Sequence, residues 1–363
     1  MDESNTLNEY RPDYAVPPGE VLVAELEMRG MTQHELALRT GLTPKHIVSI
    51  AKAKSAITSD TAIKLERALG MPAQYWLNLE SNYQEVLSRL AEEEKLERDR
   101  TWLKKVPVTE MIKRGWIAKA ADAKAQLVEV LRFFGIASVD QWDDMWPNLA
   151  VAYRQHVQGE ISPEAVSAWL RRGELEASKI SCAPFDRSAF RTALAEIRSL
   201  TCEAPEVFVP RLASLCAEAG VAVVFVPALP KTGVSGATRW LTPTKALIQL
   251  SLRYRTDDHL WFTFFHEAGH ILLHGKKECF LEGANGLDEA KEHEANEFAE
   301  NELISRKEFA AFSARPIFSK AAIVAFARQV GISPGVVVGQ LQYKKLLPPS
   351  HCNDLKMTFT WTQ

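Results

Sequence analysis

The residues best equipped for chemistry lie in Trp261-Phe262-Thr263-Phe264-Phe265-His266-Glu267-Ala268-Gly269-His270-Ile271-Leu272-Leu273-His274. His266 and His270 stand four apart, with Glu267 directly after the first. On an α-helix that spacing stacks both imidazoles on one face, where they can grip a single metal ion. Glu267 then points toward the same cleft, beside the open coordination position, as a proton acceptor for metal-activated water. The flanking residues are apolar nearly all round, which suits a buried helix. Asp257 or Asp258 is the expected cap and Gly275 the expected stop. The five-residue pattern alone is loose, because a buried histidine is more often a hydrogen-bonded core residue than a ligand. A third donor strengthens the metal reading. Glu292-His293-Glu294-Ala295-Asn296-Glu297-Phe298-Ala299 reads as a second helix, and a Glu from it completes a two-His-one-Glu set with a position left for water.

The segments before this helix must hold it in place. Val207 to Glu218 reads as a helix ending at Gly220. Val221–Val226, Gly236–Leu241 and Lys245–Ser251 read as short strands, the last two turned at Thr242-Pro243-Thr244. After the second helix, residues 318–346 carry a Gly-Ile-Ser-Pro turn that imitates a helix-turn-helix. The segment that follows the turn is too apolar to read DNA, so packing against the metal domain is expected.

The pattern His266-Glu267-x-x-His270 followed by Glu292-x-x-Ala295-Asn296-x-Phe298-Ala299 resembles the ImmA/IrrE family of zinc metallopeptidases. The resemblance implies a zincin-like fold and zinc (Zn2+) held by His266, His270 and Glu292, with Glu294 the alternative third ligand. It implies Glu267 as general base of an endopeptidase, and an edge strand beside the cleft that takes an extended peptide. Asn296 stands where many relatives have Asp; it can still accept a hydrogen bond from a ligand imidazole. Arg239 or Tyr343 is the candidate oxyanion donor. His274 and His293 are expected at a helix end or on the surface, and Cys279 as a small buried hydrophobe.

A second functional pattern lies near the start of the chain. Thr32 with Glu35 three later opens a short helix. Gly41 breaks it, and Thr43 with Pro44 starts the next. Helix, Gly-containing turn, helix is the DNA-binding layout in which the second helix enters the major groove. The stretch resembles the XRE class of helix-turn-helix proteins, and with residues 57–79 the HigA-type antitoxins in particular. That resemblance implies Thr43, Lys45, His46 and Ser49 facing bases, and Gln33, Lys52, Lys54 and Thr58 near phosphates. Residues 1–80 are net acidic, with eight Lys/Arg against eleven Asp/Glu, yet residues 39–67 carry six against two. Basic charge therefore gathers where phosphate contacts need it. Ile50-Ala51-Lys52-Ala53-Lys54 lacks the usual glycine, so the reading helix is expected to run on.

The whole chain, 363 residues with a net charge of −3, is too nearly neutral for a global field toward nucleic acid or membrane. No apolar run is long enough to span a bilayer. Five scattered cysteines without a C-x-x-C pair suit free thiols in a reducing cytoplasm. The expected fold is mainly α (α+β), in five parts. Residues 1–80 form the helix-turn-helix bundle, 81–104 a charged helical connector and 105–204 a helical middle segment. Residues 205–348 form the metallopeptidase-like domain and 349–363 a tail. The expected partners are double-stranded operator DNA and a protein substrate or toxin, with the chain acting as a homodimer. The competing class is an antitoxin or repressor whose metal fold is a sensor or partner-binding platform.

Overall fold

In the computed structural model the described residues are 15–146, 161–275, 280–281, 289–315 and 317–361. They fall into two compact units, residues 1–100 and 101–363. Helices dominate both.

The first unit contains α1 (Pro18–Met28), α2 (Gln33–Thr40), α3 (Pro44–Ala51), α4 (Ser59–Leu69) and α5 (Ala73–Asp99). Thr32, Thr43 and Thr58 each cap a helix by accepting a backbone N–H three residues on. The apolar faces close over Leu22, Leu36, Ile47, Ile50, Leu65 and Trp76, all at most 1% exposed. Glu80 of α5 accepts the Ile57 N–H at 2.9 Å, tying the long helix to the loop before α4. α5 crosses residue 80 without a break, so the charged connector is the continuation of a bundle helix. The reading helix does not run on. It ends at Ala51, and Ala53 takes the left-handed position at φ 53° that a glycine would hold more cheaply.

The second unit contains α6 (Val108–Lys113), α7 (Ala123–Phe134), α8 (Val139–Met145), α9 (Pro163–Ser178), α10 (Arg187–Ser199) and α11 (Pro205–Glu218). A sheet of β1 (Val221–Phe225), β2 (Gly236–Thr242), β3 (Lys245–Leu250) and β4 (Phe280–Leu281) follows in the order β1-β3-β2-β4. β1 runs parallel to β3, while β2 is antiparallel to both β3 and β4. α12 (Asp257–Leu273) packs across the sheet and against α13 (Glu289–Leu303). α14 (Arg306–Ser313), α15 (Lys320–Val330) and α16 (Pro334–Tyr343) complete the unit.

The middle segment is not a separate body. Trp169 Nε1 of α9 donates to Val226 O at 2.8 Å, and Gln249 Nε2 of β3 donates to Trp169 O at 2.7 Å. Arg114 donates to Pro227 O and Ala228 O at 2.6 and 2.8 Å. Residues 349–361 of the expected tail also pack on this unit. Met357 O accepts the Asp257 N–H, Phe359 is 6% exposed, and Lys356 pairs with Asp258 at 2.6 Å. α15 and α16 pack inside the unit as expected, with Ile323, Val337, Val338 and Leu341 fully buried. Among the described residues no single helix is long and apolar enough to cross a membrane; α15 and α16 pass together only as a pair bent by 112°.

Candidate metal centre and helix-turn-helix surface

α12 is buried almost along its whole length, with Trp261, Phe264, Phe265 and Ala268 all 0% exposed. Its start and stop differ from expectation. Thr256 occupies the cap position, while Asp257 and Asp258 lie inside the protein. Asp257 Oδ2 accepts from Ser333 Oγ and its Oδ1 accepts the Met357 N–H at 3.1 Å. Burial pushes the Asp257 carboxyl up to about 6, against the opposing pull of the Ser333 hydroxyl. At the other end the helix stops at Leu273 with His274 extended, and Gly275 is not in the left-handed region.

His266 and His270 meet on one face of α12, where their Nε2 atoms lie 3.0 Å apart. Glu292, in the first turn of α13, brings Oε2 to 3.2 Å from His266 Nε2 and Oε1 to 3.4 Å from His270 Nε2. One ligand atom from each residue lies within 4.8 Å of the others, which makes the trio a group able to hold a metal ion. Ligands at 2.0–2.2 Å around a tetrahedral ion stand roughly 3.3–3.5 Å apart, close to these separations. The donor set fits as well. His266 Nδ1–H donates to Asn296 Oδ1 at 3.0 Å, which leaves its Nε2 lone pair turned into the cluster. Burial, reinforced by His266 and His274, holds His270 neutral by lowering its pKa to about 2. Facing lone pairs and a carboxylate repel one another unless a cation lies between them.

The two helices approach closely because their facing residues are small. A Cβ at Gly269 would meet Phe298 Cδ1 at 3.0 Å and Ala295 Cα at 3.3 Å. Glu267 is 0% exposed and lies under β2. A Cβ at Gly236 would come within 2.7 Å of Glu267 Oε1, and Thr238 Oγ1 donates to Glu267 O at 3.1 Å. β2 therefore settles where this carboxylate can lie.

The other sequence candidates separate clearly. Glu294 does not join the trio; its Oε2 sits 3.2 Å from His274 Nε2. His274 sits at the end of α12, as expected, but not on the surface. Its side chain is 3% exposed and its Nδ1 lies 2.9 Å from His270 Nδ1, giving a chain His270–His274–Glu294 that spacing alone had not suggested. A third histidine one turn after His270 was the signal that could have found it. His293 is on the surface, beside Glu297. Arg239 is held by Glu174 at 2.6 Å and donates to Leu170 O of α9. Tyr343 stands 60% exposed, its ring 6.2 Å from Phe262, which stacks on His266. The edge beside the cleft also differs, since the unanticipated β4 covers β2 at Ala237 and Thr238. Cys279 lies outside the described residues.

In the first unit, α3 buries Ile47 and Ile50 and turns Lys45, Val48 and Ser49 away from the core. Thr43, Lys45, Lys52, Lys54 and Thr58 are exposed, while Gln33, His46 and Ser49 are half-buried. Thr43 Oγ1 is occupied as a cap, accepting the His46 N–H at 3.2 Å. Val48, 37% exposed among these polar residues, was missed by a search for polar groups; an apolar contact to a thymine methyl is the chemistry it offers.

A helix-turn-helix family profile matches residues 22–76, and that of the IrrE N-terminal-like domain matches residues 216–341. Virulence-associated protein I of Dichelobacter nodosus is 38% identical over 82 residues, which is 22% of this chain and 73% of that protein. The chain belongs to the XRE-type helix-turn-helix proteins and carries an IrrE-like domain. Two solved structures are also similar. An addiction module antidote protein of the HigA family from Coxiella burnetii is 28% identical, covering 23% of this chain and 94% of its own, with a TM-score of 0.22. The Pseudomonas aeruginosa antitoxin HigA with its promoter is 28% identical, covering 24% and 95%, with a TM-score of 0.23. The helix-turn-helix head is thus a DNA-binding domain, and the trio on α12 and α13 falls within the IrrE-like match.

Proposed function

We propose that this chain is a DNA-binding regulator whose IrrE-like domain is a zinc-dependent endopeptidase acting on a repressor or other protein partner. The convergence of His266, His270 and Glu292, with the fully buried Glu267 on the same helix, carries this reading. His266 Nε2, His270 Nε2 and a Glu292 oxygen would hold the ion, and Asn296 orients the first imidazole. When bound, zinc supplies Lewis-acid polarisation of the scissile carbonyl and acidification of water. Glu267 takes a proton from the attacking water as its oxygen joins the carbonyl carbon. It returns that proton to the amide nitrogen as the C–N bond breaks. The apolar surroundings of α12 keep bulk water from this proton transfer.

The head binds operator DNA as a homodimer through α3, with Thr43, Lys45, His46, Val48 and Ser49 toward the bases and Gln33, Lys52, Lys54 and Thr58 near phosphates. A HigA-like antitoxin whose IrrE-like domain only binds a partner is the second reading, and the head's sequence pattern supports it. Zinc per chain by mass spectrometry, for wild type and His270→Ala, tests the metal. About one zinc, lost in the variant, is expected. Glu267→Gln then separates the readings: it should keep zinc and DNA binding while abolishing cleavage of the partner. Full biological effect in that variant would overturn the peptidase.

A further inference from the structure

A cavity of about 280 Å³ lies one helical turn along α12 from the metal trio. Phe262, in its wall, stacks on His266 at 6.2 Å, and Ser235, also in the wall, directly precedes the Gly236 that abuts Glu267. Leu303 and Val336, 2% and 3% exposed, form its floor. Tyr254, stacked on His259 at 4.2 Å, and Tyr343 stand at its mouth. That space is ample for one aromatic side chain.

The charges in the wall are already answered. Glu300 pairs with Lys344 at 2.7 Å and Asp258 with Lys356 at 2.6 Å. Arg253 donates to Gly233 O and lies over the Tyr254 ring. Both carboxylates are thus paired, while the Arg253 guanidinium keeps its charge and is held against a carbonyl and a ring. Walls built from Tyr254, Phe262 and Tyr343 suit a flat aromatic group.

We propose that this cavity receives the substrate side chain next to the scissile bond, and that it selects an aromatic residue. The inference rests on the peptidase reading of the neighbouring trio. A backbone laid past His266 and Glu267 would place a flanking side chain over Phe262. The cavity would then set which bond is cut, through packing of the aromatic ring against Phe262 and the two tyrosines.

The test uses the full chain carrying Glu267→Gln, loaded with zinc, so that binding is read without turnover. Acetylated amino-acid hydroxamates of Trp, Phe, Leu, Glu and Ala are titrated by calorimetry. The Trp compound should bind about tenfold or more tighter than the Ala compound. Ser235→Trp, which fills the cavity, should erase that preference with zinc content unchanged. Tyr343→Ala, at the exposed mouth, should weaken the Trp compound about fivefold and leave the Ala compound alone. Equal affinities across the series, or a preference for Glu, would overturn the aromatic pocket while leaving the metal site standing. Hydroxamates that bind no better with zinc than without it would overturn both.

Discussion

His274 gives the sharpest test of how the metal centre is built. For His270 to offer Nε2 to an ion, its proton must sit on Nδ1 and point at His274 Nδ1, 2.9 Å away. His274 then carries its own proton on Nε2, 3.2 Å from Glu294 Oε2. The chain thus locks two tautomers through one carboxylate. His274→Leu fills similar space at a side chain only 3% exposed, so packing is largely kept. The variant removes the acceptor and leaves a buried N–H on His270. Loss of such an outer partner costs about 10–100-fold in metal affinity. That corresponds to about 1.4–2.7 kcal/mol. Glu294→Gln keeps the acceptor but not the charge and should lose less than about tenfold. Competition with a chromophoric chelator measures both, with circular dichroism confirming an unchanged fold. An affinity for His274→Leu within about twofold of wild type would refute the reasoning and leave His274 a packing residue.

Three further outcomes follow from the structure. The Asp257 carboxyl rises from 3.8 in the free chain to about 6 when folded, so its contribution is fully present below pH 4 and lost as pH climbs to about 6. The stability of Asp257→Asn relative to wild type should therefore improve by about 3 kcal/mol between pH 4 and pH 7, measured by urea unfolding at both. A pH-independent difference would show that Asp257 is ionised throughout. Ala53→Gly relieves the left-handed backbone at φ 53° and should stabilise the head by about 1 kcal/mol in chemical denaturation; a loss would mean Ala53 is unstrained. Lys52→Gln and Lys54→Gln should each lower the salt dependence of operator binding by about one counterion, read by fluorescence anisotropy across salt concentrations. An unchanged slope would take these lysines off the phosphates.

Much of the candidate site was legible because its information is local. His266 and His270 lie one helical turn apart, and Thr32, Thr43 and Thr58 cap helices that begin beside them, whereas Asn296 reaches His266 from another helix 30 residues on. Arg239 reads on paper as a free cation near the cleft, but it is committed to Glu174, 65 residues earlier, a pairing no local pattern encodes. The acidic pair at the start of α12 shows the same limit. Asp before a helix favours the cap position, yet residues 333 and 356–357 reach back from far along the chain and bury both carboxylates.

By itself, then, the amino-acid order determined the helical periodicity, the capping and the i, i+4 pairing of two imidazoles, since each depends on backbone geometry within one or two turns. It also placed the basic charge around α3. The resemblance favoured Glu292 over Glu294, but only the tertiary structure brings His274 and Glu294 together behind the trio, because the two come from separate stretches of the chain. It likewise decided that β2 lies on Glu267, that residues 356–359 close over Asp257 and Asp258, and that an aromatic cavity opens beside His266. Each of these joins side chains distant in sequence, and their meeting follows from how the sheet and helices pack rather than from any single segment.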